Sequence, residues 1–86
     1  MQQFTYRIQG DIPMHFGPAG RLASLCKCYP DTKAIIQMCS LIADISRPMK
    51  VATMGLRKDD AVTVTGEGDS EVELIDVLYQ HFEALV

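Results

Sequence analysis

The chain has 86 residues, 48% of them hydrophobic, and carries eight Lys and Arg against eleven Asp and Glu, for a net charge of −3. That length predicts a single domain over residues 1–86 with one two-layer core and no deep enclosed pocket, and the acidic balance excludes nucleic acid as a partner, since phosphate neutralisation needs clustered Lys and Arg. No apolar run approaches the roughly 20 residues that span a bilayer, and "MQQFTYRIQG" lacks the basic-then-apolar plan of a signal peptide, so a cytoplasmic protein with no membrane insertion is expected.

In "QFTYRIQ", Phe4, Tyr6 and Ile8 alternate with Gln3, Thr5 and Arg7, the period of a strand with one buried face. Gly10 and Pro13 in "GDIPMHFG" mark a loop. From Pro18 to about Cys28, the residues Ala19, Leu22, Ala23, Cys26 and then Tyr29 recur at three- and four-residue spacing, which predicts a helix with one apolar stripe. Pro18 suits the first helical position, where its missing N–H costs no bond, and Pro30 ends the helix.

"TKAIIQM" and "SLIADI" are short, apolar and β-branched, and predict a hairpin whose turn near Met38 to Ser40 is weakly marked. "SRPMKVATMGL" predicts a short helix with Ser46 as cap, Pro48 in the first turn and Gly55 near the stop. Val62 and Val64 alternate with Thr63 and Thr65 in the last strand, "AVTVTGEG". The closing "SEVELIDVLYQHFEAL" opens with Ser70 and Glu73 in capping-box spacing and places Val72, Ile75, Leu78, Phe82 and Leu85 on one helical face. With so few strands, the three helices can bury their stripes only on one side of a sheet. The expected fold is an α+β open-faced sandwich, β-α-β-β-α-β-α, with a four-stranded antiparallel sheet.

Cys26, Cys28 and Cys39 are odd in number, and the first two are two apart in a helix, where side chains diverge. They read as free thiols of a reducing compartment, with neither a metal site nor redox chemistry. No serine, carboxylate or histidine constellation assembles a hydrolase. His81, near the end of the last helix, reads as a favourable partner of the helix dipole.

The stretch "MHFGPAG", Met14 to Gly20, is the chemically informative one. With Pro18 opening the helix, His15 stands just ahead of unpaired backbone N–H groups that carry a partial positive charge. That charge keeps the imidazole neutral near pH 7, leaving a ring nitrogen free to attack phosphorus, and the same N–H groups would hold a phosphoryl group once attached. Taken alone, the residues leave two readings open, a packing or surface histidine and a nucleophile.

At "MHFGPAG", "ATMGLRKDDAVTVTGEG" and the closing amphipathic helix, the chain resembles HPr, the histidine-containing phosphocarrier of the bacterial sugar phosphotransferase system, over essentially its whole length. The resemblance implies the same open-faced sandwich. It also implies that His15 accepts a phosphoryl group, derived from phosphoenolpyruvate, from Enzyme I and passes it to IIA-type units, with no cofactor and no metal. Such a carrier is a substrate of kinases and not a turnover enzyme.

The sequence departs from the family signature, which has glycine two residues before the histidine, arginine two after it, then proline and alanine or serine. Those places hold Pro13, Gly17, Pro18 and Ala19. The absent arginine would clasp phosphoryl oxygens, and one such charge-assisted hydrogen bond contributes roughly 1.5 to 3 kcal/mol, about tenfold to a hundredfold in transfer. Arg21 lies four residues after Gly17, and helical side chains lean toward the N-terminus, so it is either a substitute phosphate contact or a solvated arginine.

The family's regulatory serine at the start of the second helix is matched by Met49, and Ser46 lies three residues further back, either a cap or a site for an HPr kinase. The partner-docking positions implied are Phe16, Gly20, Lys50 and Val51, with Met49 and Met54 nearby, methionine being adaptable to several partners and equally suited to a core. Three functions follow: a general phosphocarrier, a carrier serving one partner kinase, and a regulatory binding module, for a transcription regulator or a IIA unit, that has lost phosphotransfer. A monomer is expected.

Overall fold

A computed structural model describes residues 1–9, 16–55 and 58–85, and for 16–18 and 84–85 it describes the backbone alone. Among the described residues the elements run β1 (Gln2–Arg7), α1 (Phe16–Lys27), β2 (Thr32–Met38), β3 (Leu41–Asp44), α2 (Pro48–Thr53), β4 (Ala61–Gly68) and α3 (Glu71–Leu85). The strands form one antiparallel sheet in the order β1-β4-β2-β3, with Phe4 opposite Val64, Ile36 opposite Val64 and Ile36 opposite Ala43. The hairpin and the helices on either side of it are present in the expected order, with shifted ends.

Strand alternation carries Ala34, Ile36, Ala43, Val62 and Val64 to one side, where they are buried with Leu22 of α1, Val51 of α2 and Leu74, Leu78 and Phe82 of α3. Each such apolar side chain contributes roughly 1.5 to 3 kcal/mol through burial. Phe4 and Tyr6 meet Tyr79 and Phe82 edge-on, at ring separations from 5.1 to 6.0 Å, tying β1 to α3. The other sheet face is mainly polar, with Ile35 and the exposed Ile42 among its polar side chains: the Thr5 and Thr63 hydroxyls lie 3.4 Å apart, and Thr65 donates to Gln3. The three helices therefore cover one face and leave the other to water, the expected open-faced α+β sandwich.

Four local readings change. Helix α1 opens at Phe16, so Pro18 stands third in it; the whole first turn lacks intrahelical partners for its N–H groups, so proline is as acceptable there as at the first position. Ser46 does not cap α2. Arg47 holds that place with no side-chain cap, while the Ser46 hydroxyl donates to Asp44 Oδ1 at 2.7 Å. The capping box of α3 is replaced by longer-range bonds, in which Ser70 N–H donates to Thr32 Oγ1 at 2.9 Å, the Ser70 hydroxyl reaches Asp31, and Glu73 turns to the Tyr29 hydroxyl. Val72 is 65% exposed, because Leu74 joins Ile75, Leu78 and Phe82 on the buried face and Val72 falls roughly 100° from its centre. Leu85's side chain lies outside the described residues.

Two glycines are needed where they stand. Gly55, at φ +68, ends α2 in left-handed backbone with open space around it. At Gly68, φ +146, a Cβ would come 2.3 Å from the Asp31 carbonyl oxygen, so β4 passes the α1–β2 connection at a distance only glycine permits.

Candidate functional site

The site is built around the start of α1. Ile8, fully buried just past β1, is clamped by two backbone bonds: its N–H donates to Asp60 O at 2.9 Å and its carbonyl accepts from Asp59 N–H at 2.7 Å. This clamp fixes where the chain leaves the sheet. Pro13 and His15 lie outside the described residues. Helix α1 begins at Phe16, the next residue in sequence after His15, and its first turn carries no acidic side chain to neutralise the dipole. The N–H groups of Phe16 and Gly17 have no intrahelical acceptor, and Pro18 has no N–H to offer.

Burial of Ala19, Leu22, Ala23 and Cys26 turns one face of α1 into the core and sets its axis against α2 and α3. Gly20 is half-buried on this helix. Arg21 is exposed, and its guanidinium makes no hydrogen bond or ion pair among the described residues. Phe16 and Gly17 stand in the first turn by backbone position.

Helix α2 packs on α1, and its residues divide by depth. Met49 is 63% exposed and Lys50 is exposed, Met54 is half-buried against the core, and Val51 is fully buried in it. The open question of methionine as surface or core therefore has one answer for each residue. The structure brings Gly20 and Arg21 onto the helix adjacent to that of Met49 and Lys50, with Val51 beneath.

Ser46 sits apart from that start, in the turn before α2, with an exposed side chain. Its N–H and hydroxyl both bond Asp44 Oδ1, at 2.9 and 2.7 Å. Partial burial of Asp44 opposes its charge, but the Ser46 hydroxyl and N–H, together with Lys33 and Arg47, outweigh it and hold the carboxyl below the usual aspartate range. His81 is half-buried on α3 with Nδ1 3.1 Å from the Val77 carbonyl oxygen. The Asp44–Ser46 pairing was missing from the sequence reading; an Asp two residues before a Ser ahead of Pro48 is the local signal for it.

Among the described residues, no helix is long and apolar enough to cross a membrane and no group of three His, Cys, Asp or Glu side chains is placed to hold a metal ion.

Comparison with known proteins bears on this arrangement. No curated protein sequence matches the chain significantly. Among solved structures it is similar to the histidine-containing phosphocarrier protein of Mycoplasma, at a TM-score of 0.90 and 18% identity over 96% of this chain and 93% of that one. It is similar to HPr-C-His from Thermoanaerobacter tengcongensis, at 0.88 and 20% over 98% and 93%, and to the phosphocarrier protein HPr from Bacillus anthracis strain Ames, at 0.82 and 14% over 93% and 94%. At these identities the likeness is one of fold. The family model described as the PTS HPr component phosphorylation site matches residues 2–84, nearly the full length, and on that match the chain belongs to the PTS HPr family.

Proposed function

We propose that this chain is a phosphocarrier in which His15 transiently accepts a phosphoryl group from Enzyme I and passes it to IIA-type proteins. The observation that carries the reading is the start of α1 at Phe16, immediately after His15 in the chain, with a first turn free of acidic side chains. A phosphoryl group bonded to the imidazole gains from the unpaired N–H groups of Phe16 and Gly17 and from the positive end of the helix dipole. Nitrogen attacks phosphorus as the bond to the donor's nitrogen or oxygen breaks, and in a second displacement the acceptor's nucleophile attacks the same phosphorus as the N–P bond to His15 breaks and the neutral imidazole leaves.

Gly17, at the second helical position, supplies no cation. Arg21, one turn further along, has an unengaged guanidinium among the described residues, and because helical side chains in general point back toward the N-terminus it is the candidate for the missing clasp. Met49 and Lys50 of α2, with Phe16 and Gly20 of α1, form the docking face, Met54 flanks it and Val51 supports it from below. Ser46 is the candidate for modification by an HPr kinase. The protein works as a cytoplasmic monomer, without nucleic acid and without cofactor.

A second reading has one observation in its favour. Gly17 stands where the family has arginine, and a loss of about tenfold to a hundredfold in transfer suits a regulatory module that keeps the docking face and binds a IIA unit or a transcription regulator.

The test is incubation with phosphoenolpyruvate and Enzyme I followed by intact mass. An acid-labile phosphoryl adduct on the native chain and none on His15→Ala supports the carrier. An unmodified native chain that still binds a IIA protein supports the module instead.

A further inference from the structure

At the other end of α1 a cavity of about 340 Å³ opens between the helix's last turn, the start of β2 and the turn after β3. It is at the small end of the range for small-molecule sites, roughly 300 to 1,000 Å³. Lys27, Lys33, Thr32, Asp44, Ser46 and Cys26 are among its lining residues. Phe16 and Lys27 are separated by about 16 Å of helix, so this cleft does not overlap the start of α1.

Its polar groups fall into two sets. Thr32 Oγ1 already accepts from Ser70 N–H and donates to Asp31. The second set, Lys27, Lys33 and the free oxygen of Asp44, has no direct bond between its own members among the described residues. Lys27 and Lys33 are exposed, and no ion pair joins either of them to Asp44 among the described residues. Asp44 uses Oδ1 for both bonds from Ser46, and its Oδ2 has no hydrogen bond among the described residues. Two ammonium groups and one carboxylate oxygen thus border a common space, with Lys33 favouring the Asp44 charge across it but no direct ion pair closing it among the described residues. The Cys26 thiol, buried and pushed up to about 11 by that burial and then by Asp44, adds an uncharged wall.

We propose that this cleft binds a small organic anion that also carries hydroxyl groups, its anionic end held by Lys27 and Lys33 and a hydroxyl donating to Asp44 Oδ2. A bare anion has nothing to donate to the carboxylate and is repelled by it. A neutral polyol leaves both lysines without a partner. A phosphorylated or carboxylated polyol satisfies both ends at once. Asp44 and Ser46 belong to the turn that leads through Arg47 into α2, so a ligand on Asp44 steadies the entry to the helix that bears Met49 and Lys50. The inference does not rest on phosphotransfer at His15.

The experiment is a titration of the full isotopically labelled chain, followed by amide shifts, with glycerol 3-phosphate and glycerate as the two hydroxylated anions and inorganic phosphate and glycerol as separate probes. Saturating shifts at Lys27, Lys33 and residues 44–47 with one or both hydroxylated anions, at a Kd of about 1 mM, are expected. Which of the two binds identifies the anionic group. Inorganic phosphate and glycerol should each bind about tenfold more weakly or not at all, and Lys27→Gln with Lys33→Gln, a surface change that spares the core, should weaken binding about tenfold. The proposal is overturned by an absence of saturable shifts with both anions, by equal binding of inorganic phosphate, or by a double variant that binds as the native chain does.

Discussion

A single oxygen, Asp44 Oδ1, accepts both the N–H and the hydroxyl of Ser46, at 2.9 and 2.7 Å. The folded Asp44 carboxyl is therefore more acidic than in the unfolded chain, where its pKa is about 4. A depressed folded pKa means stability that is present above the unfolded pKa and is lost as pH falls through the folded one. Ser46→Ala removes the hydroxyl bond, so Asp44 should titrate closer to its ordinary value, and the variant should be about 1 kcal/mol less stable at neutral pH. Urea denaturation across pH checks this: the gap between the two proteins should close once Asp44 is protonated, and a gap that persists unchanged at low pH would put the bond's contribution elsewhere.

The three thiols differ in environment. Cys26 is buried with its pKa raised to about 11, chiefly by desolvation, while Cys28 and Cys39 are exposed. Because the thiolate is the nucleophile, iodoacetamide near pH 8 should add rapidly to Cys28 and Cys39 only, with Cys26 joining in denaturant. Peptide mass mapping reads the sites. Labelling of Cys26 at the rate of the other two would mean that the last turn of α1 opens readily.

Val51 and Met49 are two residues apart on α2 and face opposite environments, fully buried and 63% exposed. Val51→Ala should cost about 2 kcal/mol through lost burial and the cavity it leaves. Met49→Ala should cost less than about 0.5 kcal/mol in stability yet weaken IIA or Enzyme I binding, because exposed apolar anchors act at interfaces. Denaturation midpoints alongside partner titrations separate the two. Equal binding by native chain and Met49→Ala would remove α2 from the docking face.

Gly68 has no tolerance for a side chain, since a Cβ would sit 2.3 Å from one backbone atom and 2.6 Å from another, at a φ that L residues avoid. Gly68→Ala should destabilise the fold by about 3 kcal/mol or more. Gly66→Ala meets the Ile75 side chain at 2.9 Å and backbone only at the ordinary 3.8 Å of the Glu71 carbonyl oxygen, and should cost clearly less because a side chain can shift where backbone cannot. Thermal unfolding of both variants gives the order, and the reverse order would contradict the path assigned to β4.

The strands and helices were legible because their apolar residues repeat at strand or helix period, as in Val62 and Val64 or Leu22 and Cys26. The hairpin turn was faint because Cys39, at φ +55, takes a left-handed backbone without being Gly or Asn. The start of α1 shifted by two residues because the first turn of any helix lacks internal partners, so a proline there does not mark one position. Ser46, Ser70 and Glu73 carry capping signals that the fold spends on Asp44, Asp31 and Tyr29, partners from other segments or other roles that local spacing does not register. The cleft at the end of α1 gathers residues from 26 to 46, and no motif announces it. At the site, the adjacency of His15 to a helix start was readable, whereas the burial of Val51 beneath Lys50 depended on how α2 packs.

The most direct measurement is the amide spectrum of the chain before and after phosphorylation by phosphoenolpyruvate and Enzyme I, with the phosphorus resonance recorded in parallel. A phosphohistidine signal at His15 together with downfield movement of the Phe16 and Gly17 amides, larger than any change in α3, is the expected result. A phosphohistidine whose formation leaves those two amides unmoved, or a chain that takes up no phosphoryl group at all, would contradict the role given to the first turn of α1.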